Sequence, residues 1–286
     1  MSRGYQRRDA HIVDYKIYEL PGVDCGFRGP RPNSSEYIAC VGASQTFGRF
    51  VQTPFPQLLA EALGIETMNL GRGGTSPSFH RSDPKLLEYI NRARLVIVQV
   101  LSGRSQSNSL FQIENHSDHG INLADGQKAS ADQFYSWLLA QDMELAHKVV
   151  TETRDNYVSA MAQLLEAISP PKILLWFSAR SPEYEESWKL PTWRLWGEFP
   201  QFVNREMVDR LRSYSDRYVE CVSRRGTPQP LFDLAGNRTT FKSFALPGVE
   251  GVVKTENRYY PSPEMHEDVA ELLIPACREL LHPGSI

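Results

Sequence analysis

Four short apolar runs, set apart by helix-patterned segments, constrain what this chain can fold into more than any other feature. "YIACVGA" (37–43), "IETMNLG" (65–71), "RLVIVQVLS" (94–102) and "KILLWFSA" (172–179) have the length of strands rather than helices, and β-branched residues dominate the third. Near-continuous apolar character implies burial on both faces, as in a parallel sheet. Between them, "PFPQLLAEALG" (54–64) has helical leucine spacing and a terminal glycine, and "DPKLLEYINRA" (83–93) has Asp83 as a cap with Pro84 in its first turn. Residues 129–168 suit one long or two consecutive helices, stopped by Ser169-Pro170-Pro171; 205–223 and 263–281 read as further helices, the last with a kink at Pro275. Strands alternating with helices predict an α/β fold of three layers, α/β/α, around a mainly parallel sheet, with a long helical insertion and an aromatic-rich loop. We expect an N-terminal extension, 1–36, packed on an α/β domain, 37–286, with insertions at about 105–130 and 180–204.

Composition narrows the function classes. A net charge of −3 over 286 residues offers no global basic field for nucleic acid. The N-terminus "MSRGYQRRDAHIVDYKIYELPG" has no apolar run after its basic residues, and no segment reaches the roughly 18 apolar residues of a membrane helix, so we expect a cytoplasmic chain without membrane contact. Cys25, Cys40, Cys221 and Cys277 form no C-x-x-C pair and read as buried thiols. "ENHSDHG" groups His116 and His119 with Glu114 and Asp118, but as an exposed insertion rather than a metal centre.

Ligands of parallel sheets gather at the carboxyl ends of the strands. There the chain places Ser44, then Gly71-Arg72-Gly73-Gly74-Thr75, then Gly103-Arg104-Ser105-Gln106-Ser107-Asn108, then Ser178-Ala179-Arg180. A serine nucleophile needs a base and donors for the oxyanion. His266, in a loop running into the last helix, is the candidate base; the Ser44 and Gly74 N–H groups are candidate donors.

The order "GASQTFG", "NLGRGG", a buried strand with a polar tail, and a near-terminal histidine resembles the SGNH or GDSL hydrolase superfamily, over about residues 37–281. That resemblance implies a flavodoxin-like three-layer fold and a serine esterase or acyltransferase acting on a small or carbohydrate-linked acyl ester. It assigns Ser44 as nucleophile, His266 as base and Gly74 as the oxyanion glycine. Pro263 stands where the family has aspartate, leaving Glu264 or Glu267 to orient the histidine, and the G-x-N-D block is missing, leaving Ser105 or Asn108 as the remaining donor. No metal or organic cofactor is implied.

Two other readings stay open. Arg72, Arg104 and Arg180, after three different strands, could hold a phosphate or sulfate donor for group transfer. A non-catalytic carbohydrate-binding or assembly protein could keep the fold without the missing aspartate and asparagine. Trp188, Trp193 and Trp196 suit a lid, a ligand platform such as Trp193 against a sugar, or a homo-oligomer interface.

Overall fold

The computed structural model describes residues 4–114, 118–242 and 251–282. Its centre is a five-stranded sheet of β1 (Tyr37–Gly42), β2 (Glu66–Gly71), β3 (Leu95–Gln99), β7 (Lys172–Ser178) and β8 (Arg217–Val222). The strand order is β2-β1-β3-β7-β8, with every pairing parallel. This is the flavodoxin-like order, whose direction of winding reverses between β1 and β3.

Alternation along each strand divides the core in two. Ala39, Val41, Val96, Val98, Leu174 and Trp176 face one layer, packed under α5 (Pro84–Asn91), α7 (Met143–Glu166) and α9 (Arg205–Arg212). Ile38, Cys40, Ile97, Ile173, Leu175 and Phe177 face the other, under α3 (Phe55–Leu63) and α10 (Pro263–Leu281). The expected α/β/α architecture is therefore present. Three of the cysteines, Cys40, Cys221 and Cys277, are buried free thiols, and Cys25 is a partly buried one.

One expected helix is half strand. Residues 205–223 form α9 only to Arg212, and the chain then enters β8, the sheet edge. The apolar spacing of 205–211 is helical, but Tyr218, Val219 and Cys221 are β-formers that pair with β7. The 105–130 region holds a small antiparallel sheet, β4 (Phe111–Ile113), β5 (His119–Asn122) and β6 (Gln127–Ser130). It shares a satellite core with α6 (Ala131–Gln141), the start of α7 and the short α8 (Trp193–Trp196).

Residues 4–15 pack at the carboxyl edge of the sheet, beginning with the short helix α1 (Gly4–Arg8). Tyr5, Ile12, Val13 and Tyr15 bury with Phe47, Phe50 and Leu231. Asp9 and Arg49, both buried, form an ion pair with Nε–Oδ2 at 2.6 Å and Nη2–Oδ1 at 3.2 Å. Arg49 also donates to the Tyr260 hydroxyl at 2.8 Å and lies over the rings of Tyr5, Phe50, Phe241 and Tyr260. Removing one charge from such a pair leaves the other buried without compensation. Asp9→Asn is thus expected to lower unfolding free energy by about 3 kcal/mol, read from the urea midpoint.

Candidate functional site

At the winding reversal, the chain leaves β1 through Gly42 and Ala43 into a single helical turn, α2 (Ser44–Phe47). Gln99, the last residue of β3 and fully buried, holds this turn. Its Oε1 accepts from the Ala43 N–H at 3.0 Å and from the Thr46 hydroxyl at 2.8 Å. Gly42 is needed here because a Cβ would meet Thr46 Oγ1 at 2.0 Å and Gln99 Oε1 at 2.6 Å. From β2, Asn69 donates to the Thr46 carbonyl and accepts from the Gly71 N–H, each at 3.0 Å. Arg28 donates to the carbonyls of Phe47, Gly48, Val51 and Gln52. The turn that presents Ser44 is thereby fixed from three sides.

Ser44 is half-buried at the first position of α2; the cap position is Ala43. Its Oγ faces Gly73, where an added Cβ would lie 2.7 Å from that oxygen and 3.4 Å from the Tyr5 hydroxyl. The glycine against Ser44 is therefore Gly73 and not Gly74, whose φ of +68° shapes the turn and whose Cβ position is open. Arg72 N–H donates to the Gly42 carbonyl at 3.0 Å, while its guanidinium lies 4.3 Å over the Phe79 ring.

His266 does not meet Ser44. It is fully buried between Phe55 and Phe177, with ring centroids 5.9 and 5.2 Å away. Its Nδ1 accepts from the Phe55 N–H at 3.0 Å, satisfying a donor that the first turn of α3 leaves unpaired. A neutral imidazole accepting at Nδ1 carries its proton on Nε2, so that nitrogen is a donor and cannot take a proton from serine. Nε2 makes no hydrogen bond among the described residues. Burial, with Arg28 adding, pushes the His266 pKa down to about 3. Glu264 does not orient the ring either: its carboxylate packs at Gly226, where a Cβ would lie 2.0 Å from Oε2.

The other expected residues are likewise committed to structure. Asn108 donates to Thr153 at 3.0 Å and Tyr135 at 3.3 Å, and accepts from the Leu110 and Phe111 N–H groups, so it clamps the loop into β4 rather than serving an oxyanion. Ser105 is buried in the 3-10 turn Gly103–Ser105 and makes no hydrogen bond to Ser44. Arg180 donates to the carbonyls of Ser181, Glu198, Pro200 and Val203, and burial lowers its pKa to about 10; four of its five N–H groups tie the 180–204 loop to β7. Arg104 pairs with Asp118 at 3.2 Å and lies over Trp196. Trp193 is 61 % exposed, whereas Trp196 is in the satellite core. His119 bonds Asp118 at 3.0 Å, and His116 lies outside the described residues.

What the strand ends do enclose is a cavity of about 100 Å³ beside the turn. Gln45, next to Ser44 and 2 % exposed, lines it together with Phe177, Ser178, Phe199, Tyr259 and Tyr260. Neither amide atom of Gln45 has a hydrogen-bond partner among the described residues, and neither do Gln99 Nε2, Ser102 Oγ or Gln201 Oε1. Gln201 belongs to the same wall, since its Nε2 donates to the Tyr259 hydroxyl at 3.0 Å and its carbonyl accepts from Gly103 N–H at 2.8 Å. The charges at the rim are paired, Arg224 with Glu198 at 2.7 Å and Arg258 with Glu256 at 2.9 Å. Buried amides without partners are costly, so a group of them at one strand edge marks a place built for polar contacts.

A family model described as a domain of unknown function, DUF6473, matches residues 1–118 and 134–281. The chain belongs to the DUF6473 family. No curated protein matches it. Solved structures similar to this DUF6473 chain are esterases and lipases. The lipase Lip_vut3 from goat rumen metagenome is 13% identical, with 86% of this chain and 99% of that one covered and a TM-score of 0.45. A family two carbohydrate esterase from Clostridium thermocellum, in complex with cellohexaose, is 10% identical, with coverage of 89% and 67% and a TM-score of 0.42. A catalytic mutant of Axe2, an acetylxylan esterase from Geobacillus stearothermophilus, is 12% identical, with coverage of 85% and 94% and a TM-score of 0.40. Among the described residues, no helix of the DUF6473 chain is long and apolar enough to cross a membrane.

The burial of His266 has a measurable consequence. Its folded pKa, about 3, lies below the ordinary 6.5. Between those values the unfolded chain binds a proton that the folded chain refuses, so stability falls as pH drops below about 6.5 and goes on falling to about 3. His266→Asn keeps an acceptor for Phe55 N–H and removes the titration. Between about pH 6 and pH 4, the wild type is expected to lose roughly 1 kcal/mol per pH unit more than this variant in urea unfolding.

Proposed function

We propose that this chain recognises a short acyl group on a polar, uncharged carrier at the carboxyl edge of its sheet, without a Ser44–His266 dyad driving hydrolysis. The observation that carries the reading is the Gln45 cavity. A fully buried primary amide with both ends unpartnered offers a donor and an acceptor to one ligand, and about 100 Å³ accommodates an acetyl-sized group. Paired rim charges, and an Arg180 that spends four of its five donors on backbone carbonyls, favour a neutral ligand over a phosphate or sulfate donor. The aromatic rings of Tyr259, Tyr260 and Phe199 give the carrier an apolar face and polar tips, which suits a carbohydrate.

A second reading, hydrolysis or acyl transfer through Ser44, is favoured by the approach of Ser44 Oγ to Gly73 at the strand end, one residue before the glycine that the SGNH resemblance assigns. In that reaction Ser44 Oγ attacks the ester carbonyl carbon, a base other than His266 takes its proton and gives it to the departing carrier oxygen, and water or an acceptor hydroxyl then takes the acyl group from Ser44 while its proton returns to the serine through the same base.

Calorimetric titration with acetylated and deacetylated xylo-oligosaccharides, alongside p-nitrophenyl acetate turnover, separates the two. We expect preference for the acetylated ligand, affinity within about threefold in Ser44→Ala, and turnover unaffected by Ser44→Ala or His266→Asn. A loss of turnover of about a hundredfold or more in Ser44→Ala alone overturns the binding reading in favour of the second, and a loss of that size in both variants overturns it and restores the dyad.

A further inference from the structure

The N-terminal segment supplies a polar group to the same corner of the molecule, although it belongs to no strand end. Tyr5 is 7% exposed, and its hydroxyl stands 3.4 Å from the point where a Gly73 Cβ would lie, a point 2.7 Å from Ser44 Oγ. The Gly73 backbone N–H faces that hydroxyl, and the phenol's own proton has no acceptor among the described residues. The ring is fixed: its edge meets Phe47 at 5.5 Å, and the Arg49 guanidinium lies 4.9 Å over it and 4.8 Å over Tyr260, a wall residue of the Gln45 cavity. Arg49 is in turn anchored by Asp9, four residues after Tyr5. The ion pair therefore sets the position of a phenol whose proton folding alone leaves without an acceptor, beside Gly73 and Ser44.

We propose that the Tyr5 hydroxyl is a specificity-determining ligand contact, donating a hydrogen bond to the carbonyl oxygen of the acyl group beside Ser44, with Asp9 and Arg49 as its positioning residues. The inference rests on the acyl-recognition reading above. Burial raises the phenol's pKa, so the group stays protonated and a donor across the neutral range. The N-terminal extension is then a wall of the site, and the ligand choice of this chain depends on a residue outside its strand-end motifs.

Tyr5→Phe keeps the ring, its contact with Phe47 and its place under Arg49, and removes only the hydroxyl. With acetylated xylo-oligosaccharide as the probe, we expect about tenfold weaker binding, no change for the deacetylated compound, and a melting temperature equal to or above the wild type's. Equal affinity in wild type and Tyr5→Phe overturns the contact. A melting temperature several degrees lower overturns it as well, because the hydroxyl is then a structural hydrogen-bonding group. If the wild type binds neither compound, the acyl-recognition reading fails by itself, and the melting temperature still decides whether the Tyr5 hydroxyl has a folding role.

Discussion

One buried amide oxygen holds the candidate site together. Gln99 Oε1 accepts two hydrogen bonds from the turn after β1, across the place where the sheet reverses its winding and where a parallel sheet opens a crevice. Without it, a buried N–H and a buried hydroxyl of the Ser44 turn lose their acceptor, at about 1–3 kcal/mol for each unsatisfied group. The same interaction fixes which way Ser44 and Gln45 point. Ser44 faces Gly73 and Tyr5, and Gln45 faces the cavity between β7 and the approach to α10.

The cationic side chains close to this edge work as fasteners. Arg28 and Arg180 each spend their donors on backbone carbonyls, one on the chain after α2 and the other on the loop after β7. Arg49 is neutralised by Asp9. A planar guanidinium with five donors can satisfy several carbonyls at once, which explains its use where loops cross a dry strand edge. The chemistry left over is neutral: amides, hydroxyls and aromatic rings.

The fold was legible in the sequence because buried parallel strands are written as apolar runs, and four of the five central strands are such runs. The fifth, β8, is an edge strand with mixed exposure, and its residues continue the pattern of α9 closely enough to read as one helix. The approach of the first two strand ends was legible too, since Ser44 and Gly73 do meet at one edge. Residue roles were less so. His266 occupies the expected place in the chain, but spacing along a helix does not say whether an imidazole points outward to a serine or inward to cap another helix. Asn108 and Arg180 lie after strands as a binding residue would, and only their partners reveal that they are clamps. Gln99 and Tyr5 stood in no motif, and Gln45 stood inside "GASQTFG" with no role of its own; the one available signal for Gln99 was a polar side chain inside an otherwise apolar strand.

The tautomer and titration of His266 test this account most directly. Nitrogen-15 NMR of the ring nitrogens, assigned by comparison with His266→Asn, is expected to show the proton on Nε2, a non-protonated Nδ1 accepting from Phe55, and no titration between about pH 5 and pH 8. A proton on Nδ1, or titration near the ordinary histidine value of about 6.5, would contradict it and return His266 to the role of a base facing Ser44.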